Sequence, residues 1–200
     1  MISRTIVLAL VLVLLGTWTY AADCNNGGRY EVNGYLVSDG TVTDCRTGLI
    51  WLQDANCKDN LGLPGIDKLF GYLDWYDAMT WVAALGSGHC GLTDGSSTGD
   101  WRLPTKTEWM AMNAYAKGRY RNLALTNAAG TAQWTMAGDA FNNVQSSFYW
   151  SSTTDATITA QAWGGDMYDG YVFGNYKSVN YFVWPVRGGQ SGEFGSVIIQ

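Results

Sequence analysis

Apolar and polar positions divide the chain into short strand-like runs, two helical stretches, a long segment without a period, and a second set of short runs. Asn25 to Tyr35 is dense in glycine and asparagine, residues that make turns, and leads into a short strand at Tyr35 to Val37. Asp39-Gly40 is a tight-hairpin signal, and the β-branched run Thr41-Val42-Thr43 follows it. Gly48 to Leu52 is the first strongly apolar run and is short enough for a buried strand. Lys58 to Leu73, broken by Gly62, Pro64, Gly65 and Gly71, predicts a loop. From Asp74 to Leu85 the residues Trp75, Ala78, Met79, Val82 and Leu85 recur at helical spacing, with Asp74 placed to cap the start and Gly86 to end it. Gly86 to Gly99 is a loop of Gly, Ser, Asp and Thr interrupted by Cys90. Thr105-Lys106-Thr107-Glu108 has the spacing of a capping box, so a second helix is expected over Lys106 to Lys117, between Pro104 and Gly118. Arg119 to Ser147 sustains no period, and irregular stretches of that length are usually functional or packed by their own side chains. Beyond it Phe148 to Ser151, Ala160 to Trp163, Tyr171 to Phe173 and Tyr181 to Val186 alternate with turns, Asp169-Gly170 being a second hairpin signal. This order predicts an α+β domain with an antiparallel sheet. After Gly189 a Ser/Gly tail ends in Val197-Ile198-Ile199, an added edge strand or a frayed end.

The N-terminus changes the picture of where the domain starts. Arg4 is followed by an apolar run from Ile6 to Leu15, then Gly16 and the small-residue exit Thr19-Tyr20-Ala21, the layout of a secretory signal peptide over 1–21. Ten apolar residues fall short of the about 20 a membrane-spanning helix needs. Asp23 stands directly before Cys24, where a lipid anchor would require a small residue. The domain is therefore expected over 22–190, with a tail at 191–200, in a chain that is secreted, periplasmic or at the cell surface. Cys24, Cys45, Cys57 and Cys90 form an even set and predict two disulfides, with three connectivities open. A zinc site lacks its ligands, since there is no C-x-x-C pair and one histidine.

Charge narrows the partners. The chain carries 12 basic and 17 acidic side chains, a formal charge of −5 that becomes −6 when Arg4 leaves with the signal peptide. A phosphate-seeking surface is not expected on such a chain, and Lys117, Arg119 and Arg121 are expected to be a solvated cluster after the second helix.

The usual catalytic groups are scarce. His89 is the single histidine and sits beside Cys90, and no G-x-S-x-G elbow surrounds Ser151-Ser152, whose hydroxyls are expected to bond backbone at a strand end. The glutamates are Glu31, Glu108 and Glu193, and Glu108 is assigned to the helix cap. Phe148 to Gly189 instead concentrates Trp150, Trp163, Trp184 and five tyrosines, with no cysteine, histidine or glutamate. That is the inventory of strands carrying an aromatic surface.

Four motifs, DGTVTDCRTGLIW (Asp39 to Trp51), GDWRLPT (Gly99 to Thr105) with Glu108, YWSST (Tyr149 to Thr153) and PVRGG (Pro185 to Gly189), stand in the order found in the Lcl C-terminal domain family. From about Val37 to Gln190 the chain resembles that bacterial family of largely unknown function, which includes the head of a collagen-like adhesin. The resemblance implies a C-type lectin-like fold, two helices on a small antiparallel sheet, with the terminal strands close together and long loops presenting the binding face. It implies a Cys57–Cys90 disulfide flanking the first helix and, with it, a Cys24–Cys45 pair tethering the N-terminal extension. Related scaffolds include formylglycine-generating enzymes, sugar-binding lectins and target proteins of diversity-generating retroelements. The first needs later cysteines, and none follows Cys90. Calcium-dependent lectins use Glu-Pro-Asn, Gln-Pro-Asp and Trp-Asn-Asp triplets, which do not occur here. Calcium held by Asp94 to Asp100, or by Asp166 and Asp169, competes with a role for these acids as turn residues, and no cofactor is expected.

Trp51, Trp101, Trp109, Trp150 and Trp184 lie inside the motifs and are expected in the core. Trp163, Asp166, Tyr168, Asp169, Tyr171, Asn175, Tyr176, Lys177, Asn180 and Tyr181 lie between motifs, in the region this fold exposes for recognition. They are the expected ligand-binding set of an exported, non-enzymatic module that contacts a glycan or a cell-surface protein. A hydrolase on the same scaffold would show a paired acid or a metal in a cleft. A structural envelope component would bury this face in an oligomer, and a retroelement target would vary between Ala162 and Asn180.

Overall fold

The computed structural model describes the backbone of residues 30–32, 35–119 and 140–188, and the side chains of residues 35–114 and 140–188. The expected signal peptide, Cys24, Arg121 and the tail at 191–200 lie outside the described residues, as do the side chains of Lys117 and Arg119. In chain order the elements are β1 (Tyr30–Val32), β2 (Tyr35–Ser38), β3 (Thr41–Asp44), β4 (Leu49–Leu52), β5 (Tyr72–Leu73), α1 (Trp75–Ala84), α2 (Lys106–Arg119), β6 (Phe148–Thr154), β7 (Gln161–Asp166), β8 (Val172–Tyr176), β9 (Tyr181–Phe182) and β10 (Val186–Gly188).

The strands form two five-stranded sheets, ordered β1-β2-β3-β4-β10 and β5-β9-β6-β7-β8. The α+β mixture is as expected, but a single small antiparallel sheet is not what the chain builds, and β6 meets β9 in a parallel pairing. Two stretches account for the difference. Lys58 to Leu73 is irregular until its end, where β5 adds to the edge of the second sheet beside β9. The run Tyr181 to Val186 divides: β9 stays in the second sheet, and after Val183-Trp184-Pro185 the chain enters the first sheet as β10 beside β4. The first and last described strands thus share a sheet, at its opposite edges.

Local chemistry explains the elements that were foreseen. Asp39 and Gly40 both take positive φ, 56° and 78°, the two-residue turn whose twist suits a hairpin, and β2 and β3 pair in register across it. Asp74 accepts the Asp77 amide at 2.9 Å and caps α1. At α2 the Glu108 amide donates to the Thr105 hydroxyl at 3.2 Å and the Thr105 amide donates to the Glu108 carboxylate at 2.7 Å, closing the capping box. Thr153 of β6 reaches over and accepts the Lys106 amide at 3.0 Å.

The core between the sheets and helices is aromatic. Trp51, Trp101, Trp109, Trp150 and Trp184 are all buried, as is Trp81 of α1. Trp51, Trp109 and Trp184 meet with ring centroids 5.2 to 6.0 Å apart. An indole N–H taken out of water needs an acceptor, and most of these reach a different element. Trp184 donates to the Leu52 carbonyl at 2.7 Å, Trp109 to Trp150 at 3.1 Å, Trp150 to Leu73 at 3.0 Å and Trp81 to Asp59 at 2.7 Å. Trp81, Trp109, Trp150 and Trp184 are therefore both apolar fill and struts between segments, whereas Trp101 donates locally to the Ser96 hydroxyl and the Trp51 N–H is buried without a partner among the described residues.

The four motifs close on this core. Arg102 makes a two-point ion pair with Glu108, at 2.7 and 2.8 Å, while its backbone exchanges hydrogen bonds with Val186. Arg187 binds buried Asp94 at 2.8 Å. Ser152 donates from its amide to the Pro104 carbonyl, joining YWSST to GDWRLPT. The Cys57–Cys90 disulfide is present and spans 33 residues. Cys45 is disulfide-bonded as well.

Candidate functional site

Helix α2 buries Trp109 and Met112 in the core and turns a second stripe, Lys106, Met110, Asn113 and Ala114, towards the β7–β8 hairpin. Those positions are spaced i, i+4, i+7 and i+8 and so share one face. The hairpin is kept close to the helix by Gly165, where a Cβ would stand 2.9 to 3.1 Å from three ring atoms of Trp109. Between the two elements lies an open groove of about 360 Å³, lined by the α2 stripe and by Trp163, Gly170, Tyr171 and Val172.

The groove offers three kinds of chemistry. Trp163 and Tyr171 supply aromatic surface, and Tyr171 is 63% exposed. The Lys106 ammonium lies 3.1 Å from the centre of the Trp163 ring, a cation–π contact that orients both side chains, and among the described residues no carboxylate lines the groove. Asn113 is 2% exposed, and neither its carboxamide oxygen nor its nitrogen has a hydrogen-bond partner among the described residues.

Of the ligand-binding set expected from the sequence, Trp163 and Tyr171 come together here. Tyr168, 70% exposed, stands at the hairpin tip, where Asp166 and Asp169 accept the backbone amides of Tyr168 and Tyr171 at 2.8 and 2.9 Å. Burial first, and the neighbouring Asp169 after it, push the Asp166 carboxyl above its ordinary range. Tyr176 pairs with Gln161 and shares the Trp163 face by register, but does not line the groove. Asn175 pairs with Ala162 and so belongs to the other face. Lys177 is buried, donates to the Thr154 hydroxyl at 2.9 Å and lies over the Trp75 ring. Asn180 is exposed in the turn before β9, and Tyr181 packs on Phe148 and Trp150 with centroids 4.6 and 5.2 Å away. The contiguous sequence block is thus spread over a tip, two faces and part of the core. Sequence reasoning missed the α2 wall of the groove; the available signal was Asn113, a poor helix former in mid-helix, one turn from Met110.

The acids proposed for calcium act as turn residues. Asp94 accepts the Ser96 amide and hydroxyl and binds Arg187, and Asp100 accepts the Ser97 amide. Among the described residues no three metal-ligating side chains gather. His89 binds Asp59 through Nδ1 at 2.8 Å beside the disulfide, which holds the Asp59 carboxyl below its ordinary range, and no hydroxyl of a described residue is bonded to the ring. The Ser151 hydroxyl accepts the Thr153 amide and the Ser152 hydroxyl donates to the Pro104 carbonyl. Among the described residues no helix is long and apolar enough to cross a membrane.

Two sheets, two capped helices and four motifs closing on a tryptophan core, with a groove beside the second helix, define an α+β domain of one recognisable kind. Residues 40–187 match the Lcl C-terminal domain, and the chain belongs to that family. No curated protein matches it.

Proposed function

We propose that this chain is an exported, non-enzymatic binding module on a C-type lectin-like scaffold, and that it takes a saccharide in the groove between α2 and the β7–β8 hairpin. The observation that carries this reading is the convergence of Trp163 and Tyr171 with Lys106 and Asn113 around one open groove. Aromatic faces cover the C–H face of a sugar ring, while an ammonium and a carboxamide meet its hydroxyls. The volume, about 360 Å³, falls in the range of small-ligand sites, whereas a protein partner requires an interface of roughly 1,000 Å². The disulfides fit an oxidising compartment, hence the secreted, periplasmic or cell-surface location. The exposed side chains of Tyr168, Tyr171 and Tyr176 along the hairpin favour, as a second reading, docking to a cell-surface protein.

Retention of the full chain on a glycan array separates these readings. Trp163→Ala and Tyr171→Ala are each expected to lower retention at least about tenfold, the loss of one good stacking contact, with unchanged thermal midpoints. Equal retention by wild type and both variants would remove the groove from the account. Binding to cell-surface proteins with none to saccharides would select the second reading.

A further inference from the structure

The most unusual group in the groove is the carboxamide of Asn113. A carboxamide has two N–H donors and an acceptor oxygen, and leaving such groups buried without partners is costly, so buried amides are nearly always paired. Here both the oxygen and the nitrogen of a side chain 2% exposed are unpaired at the wall of a groove. No described neighbour is bonded to it, and Met110 and Ala114 on the same helix face are apolar. Met110 is 51% exposed, flexible and unbranched, so it can move aside for a ligand that reaches the amide.

We infer that Asn113 is the specificity-determining residue of this groove and that it recognises a vicinal diol of a pyranose ring. The inference rests on the saccharide reading and adds the part of the sugar that is read. A carboxamide presents its oxygen and an N–H side by side and pointing the same way. Adjacent ring hydroxyls match that edge, one donating to Oδ1 and the next accepting from Nδ2. A trans secondary amide, such as the acetamido group of an amino sugar, points its N–H and C=O in opposite directions and satisfies one of the two. The aromatic pair is indifferent to hydroxyl positions and supplies affinity, whereas the amide supplies selection.

The test is calorimetric titration of the full chain with methyl glucoside, methyl mannoside and methyl galactoside, with their 2-, 3- and 4-deoxy counterparts, and with N-acetylglucosamine. At least one parent glycoside should bind, and removing one hydroxyl of the recognised pair should weaken it roughly tenfold, while deoxygenation elsewhere leaves it unchanged. N-acetylglucosamine should bind as weakly as a deoxy sugar when the recognised pair includes the 2-position. Asn113→Leu keeps the side-chain shape and removes the unpaired groups, so its thermal midpoint should hold or rise while its binding falls by the same factor and no longer distinguishes deoxy sugars. Wild-type binding that is insensitive to every deoxygenation, or undiminished in Asn113→Leu, overturns the role of Asn113 and leaves the groove reading standing. No binding of any parent sugar overturns both.

Discussion

At the scale of single residues, the approach of β6, β7 and α2 depends on two adjacent glycines. A Cβ on Gly164 would lie 2.2 Å from the Tyr149 carbonyl oxygen and 2.3 Å from the Phe148 ring, and the first of these is backbone that cannot rotate away. On Gly165 the obstacle is the Trp109 ring, itself fully buried. Gly164→Ala should therefore destabilise the fold by about 2 to 3 kcal/mol or more, the upper end of the cost of overpacking, and Gly165→Ala by less, because a side chain gives more readily. Urea denaturation of both variants gives the order; equal and small losses would show that the sheet has more room than these distances imply. The same pair shows how little of the site was legible residue by residue. Trp163 could be singled out from its aromatic character. That Gly165 brings it alongside α2 depends on Trp109, more than fifty positions earlier, and no local pattern encodes that.

At the scale of elements, legibility followed the range of the interaction. The Thr105 capping box and the Asp39-Gly40 turn are closed by residues within three positions of each other, and both were apparent from spacing alone. The division of Tyr181 to Val186 between two sheets was not, because it is imposed by β4 and β5, whose partners are more than a hundred residues away in the chain. Glu108 joins the two ranges, capping α2 locally and binding Arg102 at the meeting of GDWRLPT and PVRGG. Burial raises its carboxyl pKa, but the Arg102 hydrogen bonds and the Thr105 amide more than compensate, and the net value lies below the ordinary 4.5. A carboxylate with a depressed folded value adds stability above the unfolded pKa and loses it as pH falls through the folded one. Glu108→Gln keeps an oxygen for the cap and removes the charge. It should cost roughly 1 to 3 kcal/mol at pH 7, the worth of hydrogen bonds to a charged group, and progressively less below about pH 4.5. A loss that stays constant from pH 7 to pH 3 would show that the ion pair contributes nothing.

At the scale of the whole molecule, one buried cation couples stability to pH. Lys68 is fully buried in the irregular stretch before β5, donating to the carbonyls of Cys57 and Gly71 and lying 4.2 Å from the centre of the Trp81 ring. It ties that stretch to the disulfide and to α1 in place of regular secondary structure. Burial lowers its pKa from 10.5 to about 7, only partly offset by the field of Asp54. Between those two values the unfolded chain binds a proton that the folded chain does not, so stability rises with pH across that window and gains nothing from this group below it. One proton corresponds to a slope of about 1.4 kcal/mol per pH unit. Burial holds the Tyr149 phenol well above its ordinary 10.0, which reverses the trend at higher pH, so the clean interval is about pH 7.5 to 9.5. Guanidinium denaturation across that interval should show stability climbing in the wild type and a flatter line in Lys68→Met, whatever the offset between the two proteins. The disulfide must stay oxidised throughout, since opening a loop of 33 residues would cost about 3 to 4 kcal/mol by itself. Parallel slopes in wild type and Lys68→Met would mean that Lys68 stays charged in the folded protein, held by its two carbonyls and the Trp81 face.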